Sequence, residues 1–291
     1  TRNGSKYGTA ALSDLSCSLP AKLWDITGEV ESLCRAHRIL AVEGVLEAYN
    51  GRPQVIISRV ASPSPTEIGA VIGDLVEHSR RDSGEMMAQI TAAVTSFRNQ
   101  DFRNIIQVLL LANKTEREKF ARYPAAVKYH HAYVGGLLQH TAEVLGMAQD
   151  ICAREAAVDR ELLLAAAILH DYGKLRELAV DEFGLPVGFT KEGKLLGHIY
   201  LGMEAVERAG QQVKADREIC LVLKHCIYSH HGQPDWGSPI EPVIKEAQIL
   251  HYLDNLSAKN EFFTRTEQTI APGQFGVADV LRREIYCRQL D

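Results

Sequence analysis

The chain has 291 residues, is 46% hydrophobic, and sets 32 basic residues against 37 acidic ones for a net charge of −5. That length buries one large core or two smaller ones without staples, and the charge balance excludes a strong positive field for gripping a duplex, while a local groove for a single strand stays open. Cys17, Cys34, Cys152, Cys220, Cys226 and Cys287 are scattered with no C-x-x-C pair; this usage, with no secretory signal and no apolar stretch of bilayer length, predicts a cytoplasmic protein with no membrane association.

Residues 7–60 read as strands and turns. Residues 7–15 alternate, residues 19–24 set apolar side chains around Lys22, and residues 39–47 lead into Tyr49-Asn50-Gly51-Arg52, after which residues 54–59 return. Asn-Gly between two strand-like runs is a hairpin signal. ASPSPT at residues 61–66 interrupts both periodicities and marks a linker. Over residues 67–120, apolar positions recur at helical spacing: Ile68, Val71, Ile72 and Leu75, then Met86, Met87, Ile90 and Val94, then Phe102, Ile105, Ile106 and Leu109. Three helices packing with the second domain are expected there.

Tyr123, Tyr129, His130, His131 and Tyr133 crowd the approach to Gly135-Gly136. A helix over 137–154 would carry His140 on its apolar face with Val144, Met147 and Ile151. Residues 163–175, LLAAAILHDYGKL, follow Asp159 as N-cap; this apolar helix stops at the adjacent pair His170 and Asp171, with Lys174 just beyond. Residues 181–194, with Gly184, Pro186, Gly188 and Gly193, read as a loop or short hairpin. A helix over 195–209 bears His198, another over 218–229 runs into His230-His231-Gly232, and residues 233–242 form a proline-rich loop holding Trp236. A last helix over 243–259 puts Asp254 on the face of Ala247 and Leu250, and the tail from residue 260 alternates only weakly. The fold class is mainly α: a helical domain over 67–291 behind a small β-domain over 1–60.

Histidines and aspartates at the ends or inner faces of several helices form a metal-type constellation, because such sites need nitrogen and oxygen donors converging from separate elements. Taken singly, each has a plainer account: His140 as a satisfied core histidine, Asp171 as a helix-end residue, Lys174 as a solvated lysine favouring the helix dipole. Together, an apolar helix delivering His170-Asp171 and a second inner face carrying Asp254 would otherwise bury several unpaired polar groups. Mixed imidazole and carboxylate donors suit manganese, iron, nickel or zinc better than magnesium alone.

His140, His170-Asp171 and Asp254 resemble, in order and context, the H…HD…D signature of the HD-domain metal-dependent phosphohydrolases. The strings YHHAYVGGLLQHT (129–141), HDYGK (170–174) and SHHGQPDWGSP (229–239) look like the YhaM-type subgroup, which are 3′→5′ exoribonucleases. The resemblance implies an N-terminal OB-type β-barrel, matched by residues 7–25 with Gly28 and by residues 42–57. The family's preceding strand is absent, so that module is expected to be incomplete at its start. The resemblance further implies a first ion on His140, His170, Asp171 and Asp254. Asp171 would bridge to a second on His198, His230 and His231, with manganese preferred, Lys174 catalytic beside Asp171, and a homo-oligomeric assembly. Cyclic-dinucleotide hydrolases of this superfamily carry Gly-Tyr-Pro after the paired histidines; Gly232-Gln233-Pro234 departs from it.

The expected partner is single-stranded RNA, or DNA. Lys22, Trp24, Arg52 and Arg59 would form a basic and aromatic surface on the β-domain, and Tyr129, His130, His131, Tyr133 and Trp236 would stack bases near the metal site. Two rivals stand beside this reading. One is a small-nucleotide phosphohydrolase or phosphodiesterase, and the other a non-catalytic nucleic-acid-binding module with a structural metal.

Overall fold

The structure is a computed structural model that describes residues 7–24, 26–128, 131–278 and 281–289. The chain divides into two compact units, Thr1–Glu77 and His78–Asp291.

In the first unit β1 (Tyr7–Ser13) and β2 (Ser18–Trp24) form an antiparallel pair with Tyr7 opposite Trp24. Asp14 closes their turn by accepting from the amides of Ser16 and Cys17 at 2.7 and 2.8 Å. Helix α1 (Gly28–Ala36), capped by Thr27, was not expected; it has no fully buried residue, and its apolar stripe is correspondingly thin. β3 (Ala41–Tyr49) and β4 (Arg52–Ala61) form the expected hairpin, with Asn50 and Gly51 both at positive φ, 50° and 74°. This is the conformation Asn-Gly favours between right-twisted strands.

The strand order is β1-β2-β4-β3, with β2 and β4 parallel. The expected OB-like barrel is therefore seen only as a sheet: no pairing among the described residues closes β1 against β3. The Pro-Ser segment leads directly into α2 (Pro65–Leu75), started by a Ser64–Glu67 capping box with Pro65 in the first turn. Helix α2 thus belongs with the sheet rather than with the helical unit.

The second unit runs through α3 (Ser83–Thr95), α4 (Gln100–Ile106) continued by a wider π turn over Gln107–Leu111, and α5 (Lys114–Arg122). Then come α6 (Gly136–Arg154), α7 (Arg160–Leu169), the single turn α8 (Lys174–Glu177) and a hairpin of β5 (Leu178–Val180) and β6 (Pro186–Phe189). Helices α9 (Lys191–Val213), α10 (Arg217–Ser229) and α11 (Lys245–Glu267) follow, and the weakly patterned tail forms a second hairpin, β7 (Phe275–Ala278) with β8 (Arg283–Tyr286).

Helix α7 is the axle of this unit. Asp159 caps it by accepting from the amides of Glu161 and Leu162, and every residue from Leu162 to Leu169 is buried. Helices α3, α4, α6, α10 and α11 all pack on it. A helix apolar all round has no solvent face to turn outward, so it must be enclosed. Its C-terminal end, where His170 and Asp171 sit, is enclosed with it. No helix among the described residues is long and apolar enough to cross a membrane.

Candidate metal centre

Four other elements deliver side chains to the end of α7. His140 comes from the second turn of α6, His198 from α9, His230 and His231 from the end of α10, and Asp254 from α11. Two sets of donor atoms result: His140, His170 and Asp254 lie within 4.8 Å of one another, as do His198, His230 and His231. Asp171 stands between them. Its Oδ2 is 3.5 Å from the Nε2 of both His140 and His170, while its Oδ1 is 3.6 Å from His198 Nε2 and 3.8 Å from His230 Nε2. Lys174 Nζ lies 2.6 Å from Oδ2.

The histidines are aimed by what their other ring nitrogen touches. His170 Nδ1 is 2.9 Å from the Ala167 carbonyl and His230 Nδ1 is 2.6 Å from the Ile227 carbonyl. Both histidines sit at helix C-caps, where the carbonyls of the last turn lack intrahelical partners. A carbonyl only accepts, so Nδ1 carries the hydrogen and Nε2 presents a lone pair to the site. His198 does the same with a carboxylate: Nδ1 donates to Glu177 Oε1 at 3.0 Å, and its backbone N–H reaches that oxygen at 2.9 Å. The amide is free to do so because Gly197, at φ 72°, breaks α9 just before it. Gly173 serves packing, since a Cβ there would fall 2.0 Å from the His198 carbonyl oxygen.

Electrostatics follow from this crowding. Burial alone would raise the carboxyls of Asp171 and Asp254, but Lys174 with His170 and His198 holds Asp171 well below its ordinary value, and His140, His170 and His230 do the same to Asp254. Burial, then the charge of neighbouring histidines, depresses His230 strongly and His231 to about 4. At neutral pH His230 and His231 are neutral donors, while the charges of Asp171 and Asp254 outweigh burial at His170 and raise it above its ordinary value.

This donor set fits divalent ions. Asp171 Oδ1, His198 Nε2 and His230 Nε2 are buried with no hydrogen-bond partner among the described residues. Each unsatisfied group costs about 1–3 kcal/mol unless a ligand takes it. Neutral imidazoles with carboxylates are the donors that borderline divalent ions prefer.

A cavity of about 570 Å³ opens onto the centre, lined by Asp171, Lys174, His198, His231 and Asp254 together with Phe189 and Trp236. Trp236, on a short turn over Pro234–Trp236, is 51% exposed. Lys174 begins α8 and is buried, so it is not the solvated helix-end lysine of the plainer account.

Two expected base contacts need correction: His131 is fully buried and Tyr133 is 5% exposed, so neither ring has a face to offer a base. His131 instead lies 3.3 Å from Glu143, and Tyr133 packs against Arg265. Tyr129 and His130 fall outside the described residues. In the first unit Trp24 is 46% exposed rather than in the core, Lys22 lies over the rings of Trp24 and Tyr49, Arg52 is exposed, and Arg59 pairs with Glu43 at 3.0 Å.

The sequence reading missed the groups behind the ligands: Glu143, Ser257, Glu177 and His251. Ser257 Oγ lies 3.0 Å from His140 Nδ1 and donates to Glu143 at 2.7 Å; His251 Nδ1 is 3.0 Å from the His230 carbonyl. The signal for three of them was spacing. Glu143 follows His140 by three residues, Ser257 follows Asp254 by three and His251 precedes it by three, so each shares a helix face with a candidate ligand. Burial would raise Glu143, yet His131, Gln139 and Ser257 hold it at about 2.

No solved structure matches the chain. Residues 137–259 match the family model described as HD domain, a stretch that holds all seven candidate ligands from His140 to Asp254. With that match and the paired His/Asp clusters at the end of α7, this part of the chain is an HD-domain region of the metal-phosphohydrolase kind.

Proposed function

We propose that the chain is a metal-dependent phosphohydrolase that cleaves phosphate esters or diesters of nucleotides. One observation carries the reading: Asp171 turns one carboxylate oxygen to each of two donor clusters. His140, His170 and Asp254 would hold one divalent ion, His198, His230 and His231 a second, and Asp171 both. When bound, such a pair clamps phosphoryl oxygens and makes a water molecule a nucleophile at neutral pH.

The chain's own groups do the rest. Lys174 Nζ, at the cavity wall, supplies a fixed positive charge for a phosphate. Phe189 and Trp236 give the cavity apolar, aromatic walls, and its volume of about 570 Å³ suits a nucleotide-sized group. The buried end of α7 keeps Asp171 from bulk solvent, while the partly exposed Asp254 faces the cavity.

A finer reading is a 3′→5′ exoribonuclease of the YhaM type, which takes single-stranded RNA, and DNA as well. The first unit favours it. Lys22 Nζ lies 4.6 Å from the Tyr49 ring centroid and 5.8 Å from that of Trp24, and Tyr7 stacks 5.5 Å from Trp24. Three exposed aromatic rings around a lysine form a platform for a strand without sequence choice. Manganese as the ion and a homo-oligomeric assembly go with this reading.

The test is a manganese-supplemented assay on end-labelled single-stranded RNA with free and blocked 3′ ends, beside mononucleotides. Stepwise shortening only from a free 3′ end supports the exoribonuclease. Turnover of mononucleotides with intact RNA leaves the phosphohydrolase and removes the nuclease. No turnover of either class overturns both.

A further inference from the structure

We infer that Glu143 and Ser257 are positioning residues that lock His140 in the tautomer whose Nε2 faces the first donor cluster. The inference rests on reading that cluster as a metal site, and it concerns how one of its members is aimed.

His140 has a problem that His170 and His230 do not. It lies inside α6, where the surrounding helix carbonyls are engaged in the helix, so its Nδ1 turns to a side-chain acceptor. The neighbouring helix α11 supplies one. Ser257 Oγ lies 3.0 Å from His140 Nδ1, and the same oxygen is 2.7 Å from Glu143 Oε2.

A hydroxyl has one hydrogen. A carboxylate only accepts, and among the described residues Gln139 Nε2 at 2.9 Å and Ser257 Oγ at 2.7 Å donate to Glu143, with the His131 ring 3.3 Å away. Ser257 therefore donates to Glu143, and its oxygen is left to accept from His140. Nδ1 must then carry the ring hydrogen, and Nε2 is left as a lone pair, 3.0 Å from Asp254 Oδ1 and 3.1 Å from His170 Nε2.

The geometry is reciprocal. His140 and Glu143 are one turn apart on α6, and Asp254 and Ser257 are one turn apart on α11, so the two helices are tied once through the candidate ligands and once through the pair behind them. Outer partners of this kind raise a ligand's basicity and hold its ring, and losing one weakens metal binding about 10–100-fold.

The test titrates the metal-free full chain with Mn²⁺ by calorimetry and compares Ser257→Ala, Ser257→Thr and Glu143→Ala with wild type. Thermal midpoints in chelator report whether each variant folds. Wild type should take two ions. Ser257→Ala and Glu143→Ala should weaken one of the two steps about 10–100-fold and leave the other, while Ser257→Thr, which keeps the hydroxyl, should restore it. Equal affinities in Ser257→Ala and wild type would overturn the positioning role and leave the metal reading intact. Failure of Ser257→Thr to restore binding while folded would also overturn it. A wild-type chain that takes no Mn²⁺ would instead remove the metal reading, and the inference with it.

Discussion

His140 and His170 turn their Nε2 atoms toward each other at 3.1 Å inside a fully buried end of the core. Each ring has its hydrogen committed on the far side, to Ser257 and to the Ala167 carbonyl. Asp254 and Asp171 concentrate negative charge at the same place, and that charge raises His170 above its ordinary value, so the pocket favours a positive charge there, a proton or a metal ion. The cluster is built for a cation.

Metal should therefore stabilise the fold. Adding Mn²⁺ at a hundred times its dissociation constant should raise unfolding free energy by about 2.7 kcal/mol per site, read as a rise in thermal midpoint that chelator reverses. An unchanged midpoint would count against the cation argument.

Asp171 and Lys174 separate binding from chemistry. Asp171→Asn replaces one of the two shared oxygens with an amide nitrogen; it should lower metal stoichiometry and cut phosphodiester turnover by more than about 100-fold. Lys174→Met keeps every candidate ligand, so stoichiometry should hold while turnover falls about 100–1,000-fold, the loss typical of removing one preorganised charge-stabilising group. Turnover that survives either change would take that residue out of the catalytic set.

Glu143 gives a pH signature. Its carboxyl is held at about 2 against an ordinary 4.5, so the folded state binds this proton less readily than the unfolded state. The stability it contributes, up to about 3 kcal/mol, is fully present above pH 4.5 and is lost as pH falls toward 2. Urea unfolding of wild type and Glu143→Gln should show a gap that is constant above pH 5 and narrows as the solution is acidified. A gap that does not change with pH would mean Glu143 acts by packing alone.

Gly173→Ala probes how α8 meets α9. The added methyl would fall 2.0 Å from the His198 carbonyl oxygen, and overpacking of this sort costs about 1–3 kcal/mol or more. The thermal midpoint should fall and the binding step assigned to His198, His230 and His231 should weaken. Full retention of both would contradict the close contact.

Much of this centre was legible because its positions break an apolar pattern. A helix buried on all sides that ends in His170-Asp171, and an inner helical face that carries Asp254, are costly unless those groups find partners, and the fold brings them together. Glu143 and Ser257 offered only their three-residue spacing from His140 and Asp254, and Glu177 offered nothing, because their partners come from the crossing of α6 with α11 and the break at Gly197. His131 misled for a related reason. Beside tyrosines it reads as a stacking surface, whereas its backbone, at φ 54°, turns the ring into the core against Glu143. The open sheet and α1 were missed because strand periodicity reports faces, not neighbours, and because α1 buries no residue completely.

The most direct measurement is anomalous diffraction from crystals grown with Mn²⁺. The account predicts two peaks, one beside His140, His170 and Asp254 and one beside His198, His230 and His231, with Asp171 between them. A single peak, or a pair that leaves Asp171 uncoordinated, would contradict it.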